Sequence, residues 1–266
     1  MMRRATRNTW IGVGLVLVLS VAVFVERMRD HQRALPTLLP AGHARVEHIS
    51  IACFKCKTRR FQPIEGVWSM VEPWKIPARA AEIRNILALT EAPVWRQFEL
   101  NQIDPDKLGF DAPFATLELG EHTIEFGGTD AIDHRRYVRM GRKILLITDK
   151  VSAQLVGLPE RFVSRRVFAA LNDGLFQINE NGQPWPEDRV AAIRSLKALA
   201  VTSLPTEVND VDRRALNMID GAMQTHVYHL VELPDHKALL LRDDPPLAYQ
   251  ITSDAFKLFA PLTHHR

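Results

Sequence analysis

Cysteine is almost missing from this chain. There are two in 266 residues, both in the stretch Cys53-Phe54-Lys55-Cys56. Zinc needs four protein ligands, or three and a water, and with no second cysteine pair that chemistry lacks its donors. Strong charge of either sign is also missing: the formal net charge is +3, which gives no nucleic-acid signal. The chain has no glycine-rich phosphate loop, no nucleophile elbow and no His-Glu-x-x-His spacing. Gly127-Gly128 closes a strand without the following helix that phosphate binding needs. His226 and His229 lie in a strand-like stretch, which turns them to opposite faces. Asp104, Asp106 and Asp111 share one loop, but nothing fixes two of them about a bond. No catalytic residue is assigned, no cofactor or metal is expected, and the chain is read as non-enzymatic.

What is present is ordinary for a globular protein, with 46% hydrophobic and 24% charged residues. Its one long apolar run is near the start. Arg3, Arg4 and Arg7 precede an uncharged stretch from Thr9 to Val25, and Glu26, Arg27, Arg29 and Asp30 follow it. As a helix rising 1.5 Å per residue this run spans about 25 Å, the short end of what crosses a bilayer. The basic residues before it favour a cytoplasmic N-terminus and an exported remainder. Arg27 and Arg29 weaken that asymmetry without reversing it. A cleaved signal peptide is the competing reading, because Ser20-Val21-Ala22 offers small residues for cleavage after Ala22. On either reading the bulk of the chain is extracytoplasmic. The expected divisions are a basic tail (1–8), a transmembrane signal-anchor (9–25), a stalk (26–42) broken at Pro36 and Pro40, and two modules (43–160 and 161–266).

Past the stalk, periods of two dominate. Residues 46–54 and 64–73 read as strands, and 114–128 as a hairpin turning at Gly120. Residues 135–149 read as strands turning at Gly141-Arg142, and a short helix is expected near 149–157. Residues 77–92 predict a helix, with Pro77 in its first turn and Ala80, Ile83 and Leu87 as its apolar stripe. Arg79, Ala81, Ile83, Arg84, Ala88 and Leu89 recur at constant spacing as Arg189, Ala191, Ile193, Arg194, Ala198 and Leu199. The expected fold is α+β: two tandem related modules of short antiparallel strands with one packed helix each, the second diverged and shortened.

Trp68, Pro73, Pro77, the loop Gly109-Phe110-Asp111-Ala112-Pro113, the strand end "IEFGG" and Tyr137-Val138 carry a family likeness. On these marks, residues 60–160 resemble the bacterial domain-of-unknown-function family 4340. The resemblance implies a membrane-anchored, exported accessory or scaffold protein of the bacterial inner membrane, beside an envelope or transport assembly. It implies no catalytic residues. The loop has its own explanation as turn chemistry, with Gly109 free to take positive φ and Pro113 fixing the entry to the next strand.

Two groups of residues remain as sites. Cys53 and Cys56 are a structural disulfide, two unpaired packed residues, a redox couple or a metal fragment, and geometry decides among these. On a continuous strand residues three apart point to opposite faces, so a bridge needs a turn at Phe54-Lys55. No helix follows to lower a thiol pKa, although Lys55, Lys57, Arg59 and Arg60 are nearby. Arg135, Arg139, Arg142 and Lys143 form the candidate patch for anionic ligands, against the alternative of a charge-protected edge strand. The resulting expectation is an extracytoplasmic interaction protein, held at the inner membrane by its N-terminal helix and bound to an envelope protein partner. The alternatives are a thiol/disulfide protein using the cysteine pair and a binding module for anionic envelope components.

Overall fold

The structure, a computed structural model, describes residues 20–21, 35–39, 46–205, 213–233 and 237–260. The basic tail, the apolar run apart from residues 20–21, most of the stalk, and the terminal His264 and His265 lie outside the described residues. Among the described residues no helix is long and apolar enough to cross a membrane. Residues 35–39, within the segment read as a stalk, are docked on the folded body. Leu38 and Leu39 are buried, and their N–H groups donate to the carbonyls of Ala92 and Thr90, both at 2.9 Å.

From residue 46 on, strands dominate the described residues and their helices are few and short, so this part of the fold is mostly β rather than an even mixture. The first antiparallel sheet has nine strands in the order β4-β3-β2-β1-β6-β7-β8-β9-β5. These are β1 (Ile49–Cys53), β2 (Arg59–Ile64), β3 (Val67–Glu72), β4 (Ile76–Pro77), β5 (Val94–Glu99), β6 (Ala115–Leu119), β7 (His122–Thr129), β8 (Arg136–Met140) and β9 (Lys143–Ile147). The second has seven strands in the order β11-β10-β13-β14-β15-β16-β12. Its members are β10 (Leu175–Glu180), β11 (Gln183–Pro184), β12 (Ala200–Ser203), β13 (Arg214–Asp220), β14 (Thr225–Leu233), β15 (Lys237–Arg242) and β16 (Leu247–Ile251).

The helices are α1 (Ala80–Leu87), α2 (Ser152–Leu155), α3 (Glu187–Arg194) and α4 (Ser253–Lys257). Helix α1 is half the predicted length. Pro77 is not in its first turn but in β4, opposite Ser69 of β3. After Leu87 the chain tightens into a 3-10 turn over Ala88–Glu91.

The two halves follow one path. Each has a short hairpin (β3–β4 or β10–β11), a helix (α1 or α3), then a strand that becomes a sheet edge (β5 or β12). A four-stranded meander follows (β6–β9 or β13–β16), and its last strand pairs back with that edge strand before a short helix, α2 or α4. Strands β1 and β2 are the extra pair, set between hairpin and meander in the first sheet. Ile83 and Ile193, matched in the sequence repeat, are both buried on their helices.

The halves share one continuous core, from Leu38 to Phe259. The segment that joins them runs between both and bonds to each. The Arg79 N–H donates to Phe162 O and that of Ser164 to Pro77 O, at 2.6 and 3.0 Å. On the other side the Val167 N–H donates to Leu196 O and that of Ala198 to Arg165 O, at 3.1 and 2.8 Å. Phe162, Val163, Val167, Phe168 and Leu171 of this segment are buried. Alternation in β15 sends Ala238 and Leu240 to this core, and Leu239 and Leu241 to a small cluster on the opposite face.

A shared core ties the stability of one half to the other. Truncating Ile83 or Ile193 to Ala should each cost about 2–5 kcal/mol. In urea, circular dichroism and tryptophan fluorescence should report one coincident transition, moved to lower urea by either change. Two separate transitions, each moved by only one substitution, would show independent units.

Candidate functional site

Strand β1 ends at Cys53, and the chain reverses at once. The Cys56 N–H donates to Cys53 O at 3.3 Å. Lys55 takes φ of 58°, a left-handed conformation that costs a lysine about 1–2 kcal/mol. This turn at Phe54-Lys55 brings the two Cα atoms to 5.4 Å, and the sulfurs are bridged. Both cysteines are half-buried, while Phe54 at the tip is 79% exposed.

Beneath the bridge is Arg59. In the sequence it stands among the basic residues Lys55, Lys57 and Arg60, outside the strands read there. It lies instead in β2, and alternation turns it inward beside Phe61, leaving it 0% exposed. The legible signal was the Arg59-x-Phe61 step, one apolar residue away from being read as a strand face. One guanidinium nitrogen of Arg59 donates to Cys53 Sγ at 3.3 Å, to Cys56 Sγ at 3.2 Å and to Leu155 O at 2.6 Å. The other donates to Gly157 O. Leu155 is the last residue of α2 and Gly157 follows it closely, so these are carbonyls that a helix end leaves unpaired. The Phe162 ring lies 5.7 Å from the guanidinium carbon. Burial lowers the Arg59 pKa to about 10, so it is still charged at neutral pH. Among the described residues no carboxylate contacts it, and its Nε has no hydrogen-bond partner.

An apolar groove of about 450 Å³ opens beside the bridge, lined by Ala52, Cys53, Phe54, Ala112, Pro113, Phe114 and Thr116. The loop read as turn chemistry therefore also forms one wall. It is seated by close backbone approach: Gly109 has φ of 79°, and a Cβ on Gly127 would fall 2.5 Å from Leu108 O. That contact explains why Gly127-Gly128 carries no side chains.

The anionic-ligand candidates lie elsewhere on the first sheet. Strand β8 is not the edge strand expected, since β7 and β9 flank it. Its charges are balanced across the sheet instead. Arg139 pairs with Glu125, its cross-strand neighbour, and stacks 5.2 Å from the Phe110 ring centre. Arg136 donates to Asp149 at 2.8 Å. Arg135 pairs with Asp133 at 2.9 Å and covers Trp95 at 3.7 Å. Arg142 and Lys143 are exposed at the turn between β8 and β9. The four predicted residues are thus not gathered as free charges on one surface.

The second sheet holds a buried carboxylate, Asp220, bonded to His226 Nε2 at 3.0 Å and to the N–H groups of Gln224 and Asn172. Desolvation alone would raise its pKa, but the hydrogen bonds from His226, Gln224 and Asn172 outweigh it and hold the carboxyl below its ordinary range. These bonds join the turn that leads into β10 to the β13–β14 turn, a structural use of the pair. His229 lies 3.5 Å from Asp243. Among the described residues no group of three or more His, Cys, Asp or Glu could hold a metal ion.

No protein-family model, curated protein or solved structure matches this chain. The likeness to family 4340 therefore rests on the residues quoted for it.

The bridge closes a very short loop, with a sequence separation of 3. Loop-closure entropy for such a loop is worth about 2 kcal/mol. Replacing Cys53 and Cys56 together by Ser should lower the unfolding free energy by about that amount and leave the far-ultraviolet circular dichroism unchanged. Loss of folded signal at room temperature would mean that the bridge holds more than this turn.

Proposed function

We propose that this is a membrane-anchored, extracytoplasmic interaction protein, an accessory subunit of a bacterial envelope or transport assembly, built by duplication of one β-rich unit. The observation that carries the compartment is the Cys53–Cys56 bridge, a bond that persists in oxidising surroundings and is rare in the reducing cytosol. The apolar run from Thr9 to Val25, with arginines before it, supports an anchor of matching orientation. The likeness to family 4340 supports the accessory role. The common strand path of the two halves, together with the matched pairs Ile83/Ile193 and Arg84/Arg194, supports the duplication.

The docking of residues 35–39 adds a dimension to this reading. With the chain fixed to the body at Thr37–Leu39, a span ending at Val25 leaves roughly eleven residues of tether, at most about 40 Å even when fully extended. The body is then held close to the membrane, where a partner in the same membrane is within reach.

Protease added to spheroplasts should digest the body and leave a short membrane-retained fragment, and alkaline carbonate should not extract the intact chain. Solubilised in mild detergent, the protein should run as a reproducible hetero-complex. Digestion only after lysis would overturn the orientation, and a monodisperse monomer at native expression would overturn the accessory role.

A further inference from the structure

Arg59 sets a problem that the interaction reading leaves open. A buried cation is costly unless an anion or a full set of hydrogen bonds compensates it. Here it has two carbonyls, two bridged sulfurs that accept weakly, and one unpaired N–H. The missing element is a negative charge. Opening the bridge would create one where the donors already point, because a thiolate on either cysteine would sit 3.2–3.3 Å from the guanidinium. Arg59 thereby does what a helix N-terminus does in other Cys-x-x-Cys sites, whose absence from the sequence argued against redox use.

The surroundings fit a protein substrate. Phe54, Val156 and Leu158 are 79%, 51% and 72% exposed. Phe54 lies between the cysteines, and Val156 and Leu158 flank Gly157, whose carbonyl Arg59 holds. Three exposed apolar side chains thus stand on the two segments that meet at Arg59, and Phe54 also lines the groove walled by Pro113 and Phe114. Cys53 lines that groove, whereas Cys56 is not among its lining residues.

We infer that Cys53–Cys56 is an exchangeable disulfide that accepts electrons from a dithiol in an apolar polypeptide segment, with Arg59 as the positioning residue that stabilises the departing thiolate. A substrate thiolate in the groove attacks Cys53 Sγ. The S–S bond breaks and its electron pair goes to Cys56 Sγ, beside Arg59. The substrate's second thiol, once deprotonated, attacks its own sulfur in the mixed disulfide and releases Cys53 as a thiolate. Two electrons have then passed to the protein: the substrate leaves as a disulfide, and Cys53 and Cys56 are reduced. The charged groups of the segments packed here are Lys55, Lys57 and Arg60 on one side and Glu160 and Arg161 on the other. Arg59 is the one whose donors reach sulfur. The inference is independent of whether the chain is anchored or belongs to an assembly.

The test uses the full-length protein in detergent, reduced with a phosphine and then alkylated with iodoacetamide across pH. The reactive midpoint should fall at least about one unit below the ordinary cysteine value near 8.5. Arg59→Gln should return it toward that value, lowering the thiolate fraction at pH 6 about tenfold, while Arg59→Lys should keep part of the shift. A second measurement does not depend on how Arg59 variants fold. The oxidised protein should oxidise a dithiol peptide with Leu and Phe flanks faster than the same peptide with Ser flanks. Phe54→Ser with Leu158→Ser should abolish that preference while leaving reduction by dithiothreitol unchanged. A wild-type midpoint at or above 8.5, or equal rates for the two peptides, would overturn the proposal.

Discussion

The Arg59 guanidinium is buried at 0% exposure, and the four acceptors around it come from two distant stretches of chain. The sulfurs of Cys53 and Cys56 belong to the turn after β1. The carbonyls of Leu155 and Gly157 belong to the end of the first meander, nearly a hundred residues later. One side chain therefore closes the first half on itself. It joins the extra strand pair β1–β2 to the short helix that follows β9, and it does so under the one bridge in the chain. Because no carboxylate among the described residues lies beside the charge, its compensation there depends on all four acceptors being held in place.

The second half solves the same problem with different residues. Arg189 donates to Leu258 O at 2.9 Å and to Ala260 O at 2.6 Å, and Arg214 donates to Phe259 O while pairing with Glu180. Both arginines lie over Trp185, at 4.5 and 5.8 Å. In each half, then, guanidinium groups satisfy the carbonyls left at the end of the last short helix. The difference is the counter-charge. Arg214 has Glu180, whereas Arg59 has sulfur. This contrast distinguishes the two helix ends: a carboxylate balances the arginine in the second half, and bridged sulfurs meet it in the first.

Local pattern revealed the first meander and little of the second or of the site. Alternation and the positive-φ glycines at 120 and 141 marked β6 to β9 closely, because a half-buried strand writes its period into the sequence. The repeat was visible in Ile83/Ile193 for the same reason: both must face one core. Other features were hidden by the company they kept. Arg59 sits among Lys57 and Arg60, and composition reads such a cluster as surface; only the tertiary arrival of Leu155 and Gly157 makes an inward arginine tolerable. Pro77 looks like a helix start but closes a strand pair, since Ser69 lies opposite it. Strand β8 looks like an edge because its arginines are unaccompanied in sequence. Glu125 and Asp149, which balance them, come from neighbouring segments. The bridge needed a left-handed Lys55, which no residue preference would have announced.

The central claim is that Arg59 and the Cys53–Cys56 bridge act as one unit, and a double-mutant cycle addresses it most directly. Unfolding free energies are measured for the parent, Arg59→Lys, the paired Cys53→Ser and Cys56→Ser, and the combination. Coupled groups in contact depart from additivity by 0.5–3 kcal/mol, while independent ones add to within about 0.3–0.5 kcal/mol. This account predicts an interaction energy of about 1 kcal/mol or more between the two changes. Strict additivity would show that the arginine merely supports the fold beneath a bridge it does not sense.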